Sequence, residues 1–318
     1  MYRYSARKSK SRYNLYTVLI IFVLMIALFV YQELSGNSVL SYSQKTIAQT
    51  SKPSSTEKLS TVLCTAYFID VGQGDSSLFV FSDGKTLLVD AGSFEARAEV
   101  FSTLAAADVD ELDCVVATHP HADHIGGMDE VISEYPIKAF YIPDVPDEMI
   151  PDDGPYEYLE EAISEYYLEP LSPEQGQIIL SGEDYQVQVL SDDSQSYNDL
   201  NNYSIVLKVT VGETFFLLTG DAEGVFEDEL IVSGQDLESD ILHCGHHGAA
   251  AATTESFLLA VKPSIGVISC GIDNEYGHPH QETLNRLAAS SISIYRTDQD
   301  GDIEMQTDGT SVSITTER

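Results

Sequence analysis

Basic residues are scarce in this 318-residue chain: 16 Lys and Arg stand against 51 Asp and Glu, a formal net charge of −35. Eight of the 16 fall within residues 1–58, beside only Glu33 and Glu57. Residues 59–318 therefore carry 8 basic and 49 acidic side chains, a formal −41. Such a field repels a polyanion unless bound cations and a local patch overcome it, which weighs against a module built to grip long nucleic acid. The plainer meaning of the excess is a solvated surface that keeps the protein soluble. Cysteine is scarce as well. Cys64, Cys114, Cys244 and Cys270 show no paired metal-type spacing, and each lies in or beside an apolar run, so they are predicted to be small buried hydrophobes. No internal repeat is evident, and the length suits one large domain or two small ones.

Charge is absent altogether between Leu15 and Tyr31, a run close to the lower limit for spanning a bilayer. Five basic residues precede it and only Glu33 follows closely, so the positive-inside bias predicts a basic cytoplasmic tail over 1–13 and a transmembrane anchor over 14–32. The remainder would then lie outside the cell membrane. A signal peptide removed after export is the competing reading, although the run is long for one and no clear small-x-small site follows directly. Residues 33–60, rich in Ser, Thr and Gln, read as a flexible polar linker.

From residue 61 to the end the pattern is that of a folded domain. Short β-type runs occur at Val62–Ile69, Ser77–Phe81, Thr86–Val89, Cys114–Ala117, Ala139–Ile142, Tyr185–Leu190, Ser204–Val211, Thr214–Leu218, Ile265–Ser269 and Ile292–Tyr295. Helix-type stretches lie between them, at Glu95–Ala107, Gly127–Glu134, Tyr156–Tyr167, Gly224–Val232, Thr254–Val261 and Gln281–Ala289. This interleaving suits an α/β domain with two sheets between helical layers, an αββα sandwich, better than a doubly wound parallel sheet. Pro143–Pro173, with six prolines and many acids, is too long and polar for an ordinary connector. It reads either as a surface insertion or as a lid shaping a substrate mouth.

The run Thr118-His119-Pro120-His121-Ala122-Asp123-His124-Ile125-Gly126-Gly127 is the most informative in the chain. It sets three imidazoles and a carboxylate directly after an apolar strand. A loop leaving a strand edge can splay alternate side chains toward two points, as a pair of metals about 3.5–4 Å apart requires. Imidazole and carboxylate together suit zinc, manganese or iron. Downstream, the apolar run Thr214–Leu218 leads through Thr219-Gly220 to Asp221, well placed to bridge two metals, and Ile241-Leu242-His243-Cys244-Gly245-His246-His247-Gly248 supplies further imidazoles. His278 lies in a Gly-His-Pro turn before a helix, where a donor could reach a phosphoryl oxygen or protonate a leaving group. His280 matches nothing diagnostic.

The ordered set Asp-Val-Gly-Gln-Gly-Asp (70–75), Leu-Val-Asp-Ala-Gly (88–92), His-x-His-x-Asp-His (119–124), Asn-Asn-x-Ser-Ile-Val-Leu (201–207), Leu-Leu-Thr-Gly-Asp (217–221), Gly-His-His-Gly (245–248) and Tyr-Gly-His-Pro (276–279) resembles the metallo-β-lactamase superfamily. Within it, the set is most similar to the extracellular domain of ComEC-type competence proteins, over about Ala66 to Leu287. The resemblance implies a metallo-β-lactamase fold with two divalent cations, zinc or manganese. His119 and His121 would hold one, Asp123, His124 and His246 the other, and Asp221 would bridge them. Asp90 would orient the histidine loop, while Asp70, Asp75, Asn202, His247 and His278 would support the site or face substrate. The superfamily has a further His near Asn201 or Asn202, which is lacking here. Asn is the poorer ligand, so the first metal would be held more loosely.

Metal-assisted hydrolysis follows from such a site, with Asp221, Asp123 and His278 as its catalytic residues. The leading expectation is a membrane-anchored phosphodiesterase acting on DNA, nucleotides or phosphate-containing envelope polymers such as teichoic acids. A β-lactam or ester hydrolase and a non-catalytic DNA-uptake or binding module are the alternatives.

Overall fold

A computed structural model describes residues 61–318 apart from 153 and 192–195. The anchor and linker expected over residues 1–60 lie outside the described residues. Among the described residues, no helix is long and apolar enough to cross a membrane.

The strands are β1 (Cys64–Phe68), β2 (Ser77–Phe81), β3 (Thr86–Val89), β4 (Cys114–Val116), β5 (Phe140–Tyr141), β6 (Pro170–Leu171), β7 (Ile178–Ser181), β8 (Tyr185–Val189), β9 (Leu207–Val211), β10 (Thr214–Leu218), β11 (Ile241–His243), β12 (Ile265–Ile268), β13 (Ser293–Arg296), β14 (Ile303–Thr307) and β15 (Val312–Thr316). The helices are α1 (Arg97–Ala106), α2 (Ala122–Ile125), α3 (Met128–Glu134), α4 (Gly154–Glu165), α5 (Gly224–Ser233), α6 (Glu255–Val261), α7 (Gln281–Ala289) and α8 (Thr297–Asp300). One sheet runs β15-β14-β1-β2-β3-β4-β5-β6 and the other β13-β12-β11-β10-β9-β8-β7. Each half begins with antiparallel hairpins and continues parallel, from β3 to β6 and from β10 to β13.

Alternation along the strands decides which faces meet. In β1, Cys64, Ala66 and Phe68 are buried while Thr65 and Tyr67 are less so; in β8, Tyr185, Val187 and Val189 turn inward. These side chains join Phe79, Phe81, Leu207, Val209 and Phe216 in the seam between the sheets. Phe79 meets Phe216 edge to face at 5.4 Å, and Phe81 stacks on Tyr185 at 3.7 Å across that seam. The outer face of the first sheet packs Leu78, Leu88 and Val115 against Val100, Leu104, Met128 and Leu159 of α1, α3 and α4. The outer face of the second packs Leu217, Leu242 and Ile268 against Phe226, Leu230, Phe257 and Leu287 of α5, α6 and α7. The expected αββα sandwich is the architecture found.

All four cysteines are buried and unpaired, as predicted. The segment 143–173 is neither a bare surface loop nor detached. Leu159 and Ala162 of α4 enter the helical layer, and the start of α4 forms one wall of a surface groove described below.

Candidate metal centre

The two parallel halves bring their strand ends to one edge of the sandwich, and the loops leaving β3, β4, β10 and β11 converge there. Asp90 follows β3 with φ of 58°, an uncommon conformation for a residue bearing a Cβ. Its carboxylate organises the next loop: Thr118 N–H donates to Oδ1 at 2.7 Å, and Thr118 Oγ1 donates to Oδ2 at 2.7 Å. His124 Nδ1 lies 2.8 Å from the same Oδ2, so that nitrogen carries the proton and Nε2 is left as the lone-pair side. His124 Nε2 is buried without a hydrogen-bond partner, 3.3 Å from Asp221 Oδ1. Asp90 thus stands behind the histidine loop, bonded to Thr118 and His124.

His119 is fully buried. Its Nε2 lies 2.9 Å from His121 Nδ1 and 3.8 Å from Asp221 Oδ2. Asp221 follows Gly220, whose φ is 50° and where a Cβ would stand 3.0 Å from Thr118 and Ser204. Asp221 N–H donates to Ser204 Oγ at 3.0 Å, which fixes the carboxylate between the rings of His119, His124 and His247.

The Gly-His-His-Gly turn after β11 separates its two imidazoles. His246 and His247 both adopt left-handed backbone, with φ of 49° and 53°, which costs about 1–3 kcal/mol per residue and persists only where the surroundings impose it. His247 is buried, and its Nδ1 donates to Ser269 O at 3.1 Å. That contact sends Nε2 inward, 3.2 Å from Asp123 Oδ2 and 3.6 Å from Asp221 Oδ2. His246 stands at the rim with its Nδ1 3.1 Å from Glu223 Oε1, and its Nε2 is 3.8 Å from Asp221 Oδ2. The sequence placed His246 with Asp123 and His124; the geometry groups His247 with them instead. The anchors separate the rings: Ser269 O holds His247 with Nε2 against Asp123, while Glu223 holds His246 Nδ1 and leaves its Nε2 facing only Asp221, at 3.8 Å.

The Asp-Val-Gly-Gln-Gly-Asp loop closes the cluster from beneath. Asp75 N–H donates to Asp123 O at 3.2 Å, and at Gly74 a Cβ would lie 2.3 Å from that same oxygen, so only glycine allows the approach. Asp75 is buried, with Oδ1 3.5 Å from both His247 Nδ1 and His243 Nε2. His243 was not singled out from the sequence. Its Nε2 lies 2.8 Å from Ser269 Oγ, and its position at the end of an apolar strand beside two other histidines is the signal that marks it.

Two further residues, Asp70 and Asn202, stand apart from the cluster. Asp70 accepts from Gly72 N–H at 3.3 Å and pairs with Arg318 at 2.7 Å, so its carboxylate ties down the C-terminus. Asn202 Oδ1 accepts from Glu223 N–H at 3.1 Å. Its neighbour Asn201 has the buried Oδ1 without a partner and sits with Nδ2 3.3 Å from His246 Nδ1, so Asn201 is the amide beside the cluster. His278 is half-buried among His246, His247 and His280, with ring centroids at 5.3, 6.1 and 4.9 Å, and stacks on Tyr276 at 5.7 Å. His280 Nδ1 accepts from Ala250 N–H at 2.9 Å.

The electrostatics suit cations. Burial depresses His119 and His121. Burial also opposes charge on His124 and His247, yet the surrounding carboxylates, Asp221 foremost, outweigh it and raise both rings well above the usual range. Burial works against the Asp221 carboxylate as well, but His247, His124 and His119 hold it well below the usual carboxylate range. A site that draws protons onto two buried rings is one where divalent cations would be stabilised in their place. Ligand atoms of His119, His124 and Asp221 lie within 4.8 Å of one another, as do those of Asp123, His124 and His247. The inward atoms His124 Nε2, His247 Nε2 and Asp221 Oδ1 have no hydrogen-bond partner. Unsatisfied buried groups in such a set fit a pair of metal ions.

Residues 69–272 match the family profile described as Metallo-beta-lactamase superfamily. "ComE operon protein 3" of Bacillus subtilis (strain 168) is 31% identical over 254 residues, covering 74% of this chain and 32% of that protein. "Competence protein ComA" of Neisseria gonorrhoeae is 31% identical over 237 residues, covering 74% of this chain and 31% of that one. The chain thus spans about a third of the length of these curated relatives. Among solved structures, CmlA, a diiron beta-hydroxylase from Streptomyces venezuelae, superposes with a TM-score of 0.52 at 13% identity, over 79% of this chain and 55% of that one, a likeness of fold alone. The resemblance to competence proteins read from the motif order therefore holds, and with the profile spanning most of the domain, this chain belongs to the metallo-β-lactamase superfamily.

Proposed function

We propose that residues 61–318 form a metal-dependent hydrolase, a phosphodiesterase that uses a water nucleophile on DNA, nucleotides or phosphate-containing envelope polymers. The observation that carries this reading is the convergence of two three-residue donor groups that share His124, with inward atoms left unpartnered. His119, His121 and Asp221 would hold one divalent cation, and Asp123, His124 and His247 the other, with Asp221 between them. Zinc or manganese bound there would lower the pKa of a shared water toward neutrality and offset charge on the attacked group. Asp90 and Ser269 hold the His124 and His247 rings so that their Nε2 atoms face inward. A protein nucleophile is disfavoured, because Ser204 and Ser269 are buried and the Cys244 and Cys270 thiols are pushed up to about 12 by burial. His278 is lowered to about 4 by burial and by the neighbouring histidines, so its ring is neutral at neutral pH. A neutral imidazole at this position donates a hydrogen bond to a phosphoryl oxygen in preference to a full proton.

The test is the full chain, loaded with zinc or with manganese, assayed on bis(p-nitrophenyl) phosphate. Hydrolysis is expected, with loss on chelation and recovery on adding metal back. His278→Ala is expected to keep the bound metal and lower turnover by roughly 10²-fold. Stoichiometric metal without any phosphodiester cleavage would overturn the reading.

The domain is further proposed to be held on the outer side of the cell membrane by residues 14–32, a reading supported by the basic flank before Leu15. Protease added to intact cells is expected to remove the domain and leave a short protected stub. Complete protection would place the domain on the other side.

A further inference from the structure

Asp123 faces two ways. One side belongs to the cluster with His124 and His247; the other opens on a surface groove of about 860 Å³. Four separate segments build its walls: the loop Val71-Gly72-Gln73, the turn Ser93-Phe94-Glu95, the start of α4 with Pro155 and Tyr158, and the loop bearing Glu275 and Tyr276. Three aromatic rings stand at its edges with much of their surface in water: Phe94 is 46% exposed, Tyr158 45% and Tyr276 59%. Phe94 and Tyr158 tilt together at 6.3 Å, and Tyr276 stacks on His278, which joins the groove to the ring proposed to meet the phosphoryl group.

The charge lining the groove has one sign. Asp123, Glu95 and Glu275 are acidic, and no Lys or Arg is among the described residues that line it. Arg97 lies over the Phe94 ring without lining the groove, and its guanidinium is paired with Asp129 and Glu130. A phosphate chain laid along such walls would meet like charge without a counter-ion, so the groove does not suit a run of phosphodiesters. Exposed aromatic faces beside acid suit an uncharged planar ring. Base–aromatic stacking of this kind tolerates any base, since every base presents a π-face.

We infer that this groove is the subsite for the nucleobase of a short nucleotide substrate, with Tyr158 and Tyr276 as its stacking faces and its phosphodiester reaching the cluster past Asp123. The inference rests on the proposed phosphodiesterase reading and narrows it. Among DNA, nucleotides and envelope polymers, it selects a substrate with an aromatic base next to the scissile phosphate, and it disfavours glycerol- or ribitol-phosphate polymers, which have no planar ring to stack.

Two measurements on the full, metal-loaded chain test it separately from the reading beneath it. In the first, titration calorimetry compares thymidine 5′-monophosphate with glycerol 3-phosphate. Thymidine monophosphate is expected to bind at least about tenfold more tightly, and Tyr158→Ala is expected to remove most of that preference while Tyr158→Phe keeps it. In the second, kcat/KM for the p-nitrophenyl ester of thymidine 5′-phosphate is divided by that for methyl p-nitrophenyl phosphate. The ratio is expected to exceed about ten and to fall by a similar factor, mainly through KM, in both Tyr158→Ala and Tyr276→Ala. Equal binding of the two monophosphates, binding of neither, or a preference untouched by Tyr158→Ala would overturn the inference. Hydrolysis of neither ester by metal-loaded protein would instead overturn the phosphodiesterase reading, with the calorimetric comparison still deciding the groove.

Discussion

Asp221→Asn protein is expected to fold, to bind metal more weakly at both positions and to lose phosphodiester hydrolysis by roughly 10³-fold or more. The amide keeps the volume of the buried carboxylate and its place beneath Ser204, so packing changes little. What disappears is the negative charge that faces His119 at 3.8 Å, His124 at 3.3 Å and His247 at 3.6 Å. Because Asp221 is the foremost carboxylate raising His124 and His247, the substitution should also let both rings return toward neutrality in metal-free protein. Metal analysis after gel filtration and the bis(p-nitrophenyl) phosphate assay measure the first two effects. Imidazole NMR titration of the metal-free protein reads the third. A variant with wild-type metal content and turnover would remove Asp221 from the bridge and leave a different atom to join the two groups.

The second large effect separates adjacent histidines. His247→Ala is expected to release one of two bound cations and to weaken its affinity by at least about 100-fold, with activity falling in step. His246→Ala is expected to retain both cations and to lose less than about tenfold in activity. The contrast follows from their anchors: Ser269 O fixes the His247 tautomer and aims Nε2 at Asp123, whereas Glu223 Oε1 accepts from Nδ1 of a partly buried His246 at the rim. Metal stoichiometry of the two variants under identical dialysis is the measurement. The opposite pattern would restore the pairing of His246 with Asp123 and His124 that the motif order first suggested.

Much of the fold is legible in local pattern alone. Strands β2, β3 and β10 and helix α7 lie at the residues their patterns indicate, because alternation and helical periodicity are local properties that burial then obeys. The αββα layering was legible from the order of those elements. So was the role of the His-x-His-x-Asp-His run as the centre of a constellation, since its spacing leaves little else for it to be. Buried cysteines followed from their apolar context.

Other features were decided only by contacts between distant segments. β14 and its neighbour β15 were not anticipated, although Ile303–Thr307 alternates cleanly, because β14 joins the sheet through β1, more than two hundred residues earlier in the chain, and β15 only through β14. The apolar run from Ser204 becomes a strand only at Leu207, since Ile205 N–H is taken by Thr118 O and Val206 N–H by Ser191 Oγ where the chain passes the histidine loop. The same kind of contact chose between neighbours of like chemistry. Asn201 and not Asn202 has its oxygen unpartnered beside the cluster, and His247 and not His246 lies against Asp123, because Glu223 N–H, Glu223 Oε1 and Ser269 O are where they are. Residue type and spacing determine which donors reach one end of a sandwich. Which nitrogen or oxygen of each donor turns toward its centre is set by a hydrogen bond to a backbone or side chain from another strand, and that partner exists only once the sheets have packed.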